Sequence, residues 1–344
     1  MKLTFSLRRS GQPVPAALLL VCIFVVAAVA HNQGGKASAQ PGHQAPPYWA
    51  YCANPPADAS HAPAKPVDDT PQHVPDSTAA FTLAQIGDLF SVPEWHSAGH
   101  PAMPDIVGHG RKPDVYACGY CHLPNGLGRP ENSSLTGLPA DYIIQQMADF
   151  KSGARTSVEP TLLPVANMIA NETKANDREI QAAAGYFSRL KPKPWIRVVE
   201  TATVPKTRVA GWMLVVSEPV VMEPIGQRII ETPENLERTE LRDDTSGFVA
   251  YVPLGSIKKG RALVATGGAG KTVRCATCHG AELKGAGNVP SIAGRSPSYI
   301  VRQLYDMRSG ARTGAAAQAM KLPVAKLTLD DMVAIAAYLA SLNP

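Results

Sequence analysis

Cys118-Gly119-Tyr120-Cys121-His122 and Cys275-Ala276-Thr277-Cys278-His279 are two copies of one pattern, Cys-x-x-Cys-His. At this spacing two thiols can form thioether bonds to the vinyl groups of one haem, and the adjacent histidine is placed to ligate its iron. The residues thus predict two covalently bound haem c groups. One is held by Cys118 and Cys121, the other by Cys275 and Cys278, with His122 and His279 as iron ligands. Two other readings use the same letters. A zinc site needs four ligands, so the two cysteine pairs would have to meet in space. A redox dithiol has no need of a histidine directly after the second cysteine in both copies.

Both motifs belong to an internal repeat. Shifting the chain by 157 residues lays Gly128 on Gly285, Gly137 on Gly294, Tyr142-Ile143 on Tyr299-Ile300, Gln146 on Gln303 and Asp149 on Asp306. Ser152-Gly153-Ala154-Arg155-Thr156 then falls on Ser309-Gly310-Ala311-Arg312-Thr313, with no gap from the histidine onward. Stretches 141–151 and 298–309 read as helices ending toward a glycine, and 177–190 and 330–342 carry apolar side chains at helical spacing. Asp177 and Asp330 lie near the starts of the latter pair, where a carboxylate is favourable.

The N-terminus has the order of an export signal: Lys2, Arg8 and Arg9, an uncharged apolar run from Pro15 to Ala30, and a small-x-small sequence at Ala28-Val29-Ala30. That run, at about 16 residues, is short for a membrane span. Cleavage after residues 1–30 is the expectation, with an uncleaved anchor as the alternative. The formal charge of +5 then overstates the mature chain, which keeps thirty basic against 28 acidic side chains. No basic block points to nucleic acid. Residues 31–75, rich in Pro, Ala, His and Gln, read as an extended or disordered spacer. Of six cysteines, four sit in the motifs and Cys22 lies in the signal. Cys52 is left as a free thiol in a mobile segment or a bond to a partner.

Residues 196–253, between the repeats, differ in texture. Val209–Val216 and Gly247–Val252 look like strands, broken up by Val204-Pro205, Glu218-Pro219 and Glu223-Pro224. The domain organisation expected is therefore a signal at 1–30, a spacer at 31–75, a haem domain at 76–195, a strand and loop insert at 196–253, and a second haem domain at 254–344.

The second axial ligand decides what a haem does. Methionine closes the site and raises the potential; an open face permits ligand chemistry. Met320, in a loop after Arg312 and before the last helix, is the candidate in the second repeat, and Met168 occupies the comparable stretch of the first. Met103 is a distant alternative, and Met307 and Met332 read as core. His96, His100 and His109, upstream of the first motif, read as surface or core histidines, with iron ligation or proton shuttling as the alternative. Arg155 and Arg312 could reach haem propionates or serve the helix ends.

Taken together, the motifs, the Ser-Gly-Ala-Arg-Thr repeats, Met320 and Tyr338 resemble class I c-type cytochromes in their tandem dihaem bacterial form. The resemblance covers about 185 residues and is closest over 255–342. It implies a mainly α fold: two small helical domains around one haem each, with a partly β insert. By the same likeness, Gly260 and Leu263-Val264 form a first helix packed on the last, and the Pro290 carbonyl orients His279. Here the first repeat departs: Ser133 stands in place of Pro290, and Pro101, Pro104 and Pro113 keep a helix from running into Cys118, leaving residues 82–90 as a displaced first helix. The function implied is a periplasmic electron carrier, passing electrons from a donor dehydrogenase to an oxidase or another cytochrome through two His/Met haems. Its contacts would be transient or those of a complex subunit. The competing class is a dihaem enzyme, a peroxidase or sulfur-compound oxidase, with one open iron.

Overall fold

The computed structural model describes residues 45–53 and 69–344; the signal-like stretch and the remainder of the proline-rich segment lie outside the described residues. Among the described residues the chain is mainly α-helical, with all strands within residues 196–253. Among the described residues no helix is long and apolar enough to cross a membrane.

In the first repeat, prolines cut the chain into short pieces. One-turn helices α1 (Leu83–Ile86) and α2 (Asp105–Gly108) precede α3 (Cys118–His122). Then come α4 (Ala140–Lys151), α5 (Leu163–Lys174) and α6 (Asp177–Arg189). A proline lacks the N–H that a helix interior needs, so Pro101, Pro104 and Pro113 leave only α2 to fill the place of a long first helix. Val107 of α2 is fully buried with Ile180, Ala184 and Tyr186 of α6. Residues 82–90 do not supply that helix: α1 is a single turn, and Ile86 packs with Trp95 and Leu241 instead. The α6 start is fixed by a capping box in which Asn176 accepts from Glu179 N–H and Glu179 accepts from Asn176 N–H.

The insert runs β1 (Ile196–Thr201), β2 (Thr203–Pro205), β3 (Thr207–Ala210), β4 (Met213–Val216), β5 (Met222–Pro224), β6 (Ile230–Pro233), α7 (Leu236–Glu240) and β7 (Phe248–Pro253). The buried β7 lies between parallel β1 and antiparallel β6; β2 pairs with β5 and β3 with β4. Val209–Val216 is therefore not one strand. It folds back at Gly211-Trp212, both at positive φ (56° and 61°), the two-residue turn that matches strand twist.

The second repeat has the long first helix, α8 (Ser256–Thr266), followed by α9 (Ala276–His279), α10 (Pro297–Ser309), α11 (Ala315–Gln318), α12 (Lys321–Ala325) and α13 (Leu329–Ala340). α8 crosses α13 at Gly260, where an added Cβ would lie 1.9 Å from the Ala334 carbonyl oxygen. Only glycine permits so close an approach. α13 is buried almost throughout, from Asp331 to Ala337.

The spacer reading fails for the residues that are described. Trp49, Ala50, Tyr51 and Cys52 are buried in the core of the second repeat. Tyr51 Oη donates to Asp306 Oδ1 at 2.8 Å, and Arg302 Nη1 donates to the Ala50 carbonyl at 2.7 Å. Cys52 is thus part of a packed turn, and burial pushes its thiol up to about 12. Composition hid this, because two aromatic anchors suffice to dock a proline-rich segment.

Candidate functional site

Each Cys-x-x-Cys-His forms one helical turn that stops at the residue after histidine. Leu123 (φ 63°) and Gly280 (φ 81°) hold the same positive φ at matching positions. The chain then loops back identically. Gly128 N–H donates to the His122 carbonyl at 2.9 Å, and Gly285 N–H to the His279 carbonyl at 2.8 Å. His122 Nδ1 lies 2.8 Å from the Ser133 carbonyl, and His279 Nδ1 lies 2.8 Å from the Pro290 carbonyl, eleven residues on in both cases. A carbonyl only accepts, so Nδ1 carries the hydrogen and Nε2 keeps its lone pair. Burial pushes both imidazoles down, which favours their neutral form. The substitution of Ser133 for proline is silent because the bond uses backbone oxygen.

Both histidines face one continuous, mainly apolar cavity of about 360 Å³ that runs between the repeats. Cys275 and Cys278 lie on its wall, as do Met168 from α5 and Met320 from the turn between α11 and α12. Met307, read from the sequence as core, also lines it, whereas Met332 is fully buried in the core. Met103 packs on Gly108 and is not among the lining residues, nor are His96, His100 and His109.

Across the middle of the cavity the two Ser-Gly-Ala-Arg-Thr segments meet each other. Thr156 N–H donates to the Ala311 carbonyl at 2.8 Å and Thr313 N–H to the Ala154 carbonyl at 2.7 Å. Arg155 donates to Gln146 Oε1 at 3.0 Å, and to Tyr299 Oη and Gln303 Oε1. Arg312 likewise donates to Gln303 Oε1 and Gln146 Oε1. Each guanidinium therefore joins the glutamines of both repeats. Arg312 Nε is buried with no hydrogen-bond partner. An orphan donor in the wall of an apolar cavity suits a bound carboxylate.

The remaining chemistry fits the haem reading better than its rivals. Burial pushes the Cys118 thiol up to about 12 and the Cys275 thiol up to about 11, the reverse of what a reactive dithiol needs. The cysteine pairs do not converge: among the described residues the one cluster of three or more candidate metal ligands is His96, Asp243 and Asp244. Cys118 and Cys121 are not among the lining residues, but the two imidazole Nε2 atoms, the Cys275 and Cys278 thiols, thioethers within the same cavity and an unpaired Arg312 Nε match the donors, the apolar body and the carboxylates of covalent haem.

A family model described as cytochrome c matches residues 257–343. A thiosulfate dehydrogenase electron acceptor of Stutzerimonas stutzeri (strain A1501) is 38% identical over 237 residues, spanning 68% of this chain and 82% of that protein. A protein of the same description from Thiomonas intermedia (strain K12) is 26% identical over 232 residues, 67% of this chain and 80% of its own. Cytochrome c4 of Azotobacter vinelandii is 25% identical over 255 residues, 72% of this chain and 91% of its own.

Proposed function

This chain belongs to the dihaem cytochrome c family, and from that premise we propose that it is an exported two-haem electron carrier. The family implies covalent haem c; our reading assigns one to Cys118 and Cys121 and the other to Cys275 and Cys278. His122 and His279 would ligate iron, with Met168 and Met320 as the methionine ligands. The helical modules are 76–195 and 254–344, with 196–253 as the insert between them. Export through residues 1–30 would deliver the chain to the periplasm.

The observation that carries this reading is the matched pair of histidines. Each has Nδ1 tied to a carbonyl 2.8 Å away and Nε2 free toward a cavity that holds a methionine from the same repeat. Bound haem supplies the one-electron ferric/ferrous couple. The protein's residues do the rest. The carbonyls fix the rings and raise their basicity. Apolar walls exclude water, and thioether ligation favours the reduced iron. Arg312 Nε, buried without a partner, would be available to a haem carboxylate.

Two relatives are described as electron acceptors of thiosulfate dehydrogenase. We take the donor here to be a dehydrogenase of that kind, and the acceptor to be an oxidase or another cytochrome. With a methionine available to each iron, both coordination positions would be closed, which separates this reading from a dihaem enzyme. Spectroelectrochemical titration of the exported holoprotein, paired with an alkaline pyridine spectrum, tests it. Two haems per chain and two one-electron steps are expected. A single haem, or a chain that takes up none, would overturn it.

A further inference from the structure

The segment before the first motif and the insert meet at a group of ligand atoms that electron transfer does not use. His96 Nε2 lies 3.1 Å from Asp243 Oδ1 and 3.9 Å from Asp244 Oδ1, and all three atoms lie within 4.8 Å of one another. The side chains are 13%, 0% and 4% exposed. Asp243 is well held. Its Oδ2 accepts from Arg238 Nε at 2.7 Å, and its Oδ1 accepts from Thr245 N–H and Oγ1 at 2.9 and 2.7 Å. Asp244 is not: its Oδ1 is buried and has no hydrogen-bond partner. Burial pushes the Asp244 carboxyl up, against the pull of His96 and His100. His100, whose side chain is fully buried, contributes a second orphan. Its Nδ1 donates to the Pro101 carbonyl at 2.9 Å, and its Nε2 makes no hydrogen bond, 3.6 Å from Glu94 Oε1.

We propose that His96, Asp243 and Asp244 form a site for a divalent first-row cation of the zinc type. A protonated His96 paired with Asp243 would leave the Asp244 oxygen unsatisfied, a costly state for a buried carboxylate. A cation between the three satisfies it. The two separations from His96 Nε2 are both below about 4.2 Å, the span of two ~2.1 Å bonds from nitrogen and oxygen to zinc. One imidazole with two carboxylates is a borderline donor set; calcium would want six or more oxygens. Asp243 pairs with the Arg238 guanidinium and Asp244 with no arginine or lysine among the described residues, which leaves negative charge for a divalent ion to neutralise.

Such an ion would staple residues 147 positions apart. The stapled insert loop lies over the first motif, where Arg242 Nη1 donates to the Tyr120 carbonyl at 2.8 Å and Asn125 Nδ2 donates to the Asp244 carbonyl. Its role is therefore to lock the insert onto the first repeat.

Isothermal titration of zinc chloride into untagged holoprotein, stripped of metal with a chelator, tests the site; covalent haem survives that treatment. One zinc per chain is expected. Asp244→Asn and His96→Gln should each weaken binding more than about tenfold, and His73→Gln, an exposed control, should leave it unchanged. X-ray absorption at the zinc edge of the loaded wild-type protein should report only nitrogen and oxygen ligands. That measurement decides the matter even if a variant fails to fold. No saturable uptake by wild-type protein, unchanged affinity in both variants, or sulfur in the zinc shell would each overturn the proposal.

Discussion

The two attachment turns coincide when the chain is shifted by 157 residues, yet one is covered and the other is open. Tyr120, inside the first motif, is 7% exposed and lies beneath Arg242, whose guanidinium is 3.5 Å from the ring centroid. Arg129 beside it donates to the Thr239 carbonyl, joining the same loop to the insert. In the second motif Thr277 and Cys278 are exposed, as are the cavity-lining Val273 and, between the lining residues Met320 and Pro323, Leu322 at 81%. The cause lies outside the repeat. Prolines deny the first repeat its long helix, and residues 236–246 of the insert supply the missing cover. Identical motifs fix identical local turns, while the neighbouring chain decides what solvent and partners reach.

The sharpest break in the comparison is Gly260→Ala. The register places Met103 opposite Gly260, so the first repeat has no such helix contact to lose. An added methyl group 1.9 Å from the Ala334 carbonyl must push α8 off α13. We expect a loss of about 3 kcal/mol in chemical denaturation, with the second haem the first to lose its spectrum. Gln146→Leu should come next. It removes the acceptor shared by two buried guanidiniums, at about 2 kcal/mol. Gln303→Leu should cost a similar amount, which would make the seam symmetric even though the surfaces are not. Arg242→Ala should cost about 1–2 kcal/mol through its stacking and its bond to Tyr120. It also removes a cation close to Cys121. One haem potential, and not both, should fall in a redox titration.

The smallest effect concerns acid. In the two closing helices the matching N3 carboxylates differ. Arg111 holds Glu179 below the usual range. Burial pushes Asp331 up, but Lys271, Lys259 and Thr328 together hold it well below that range. A depressed carboxylate adds stability above its unfolded value of about 4, and that stability is lost as pH falls through the folded value. Asp331→Asn should therefore cost no more than about 1 kcal/mol at neutral pH, since its lysines are half-exposed. It should also flatten the acid limb of a stability profile more than Glu179→Gln does.

What was legible in the sequence was what side chains encode at fixed spacing: the motifs, the repeat, and the helices that became α4, α6, α10 and α13. Met168 and Met320 were found by their place in the repeat, and the structure brings both to the cavity wall. Other features left no such signature. The Ser133 carbonyl is a backbone atom, so its residue type says nothing. Met307 sits on a helix with core spacing, and only tertiary packing leaves it beside the cavity. Cover by the insert depends on contacts such as Trp95 Nε1 to the Leu241 carbonyl at 2.7 Å, across 146 residues, beyond any local pattern.

Carbon monoxide added to the dithionite-reduced holoprotein, read by visible spectroscopy, tests the central claim most directly. With Met168 and Met320 closing both irons, the spectrum should stay as it was. A shift of about half the haem absorbance would show one iron open, contradict a pure electron carrier, and point to ligand chemistry at that site.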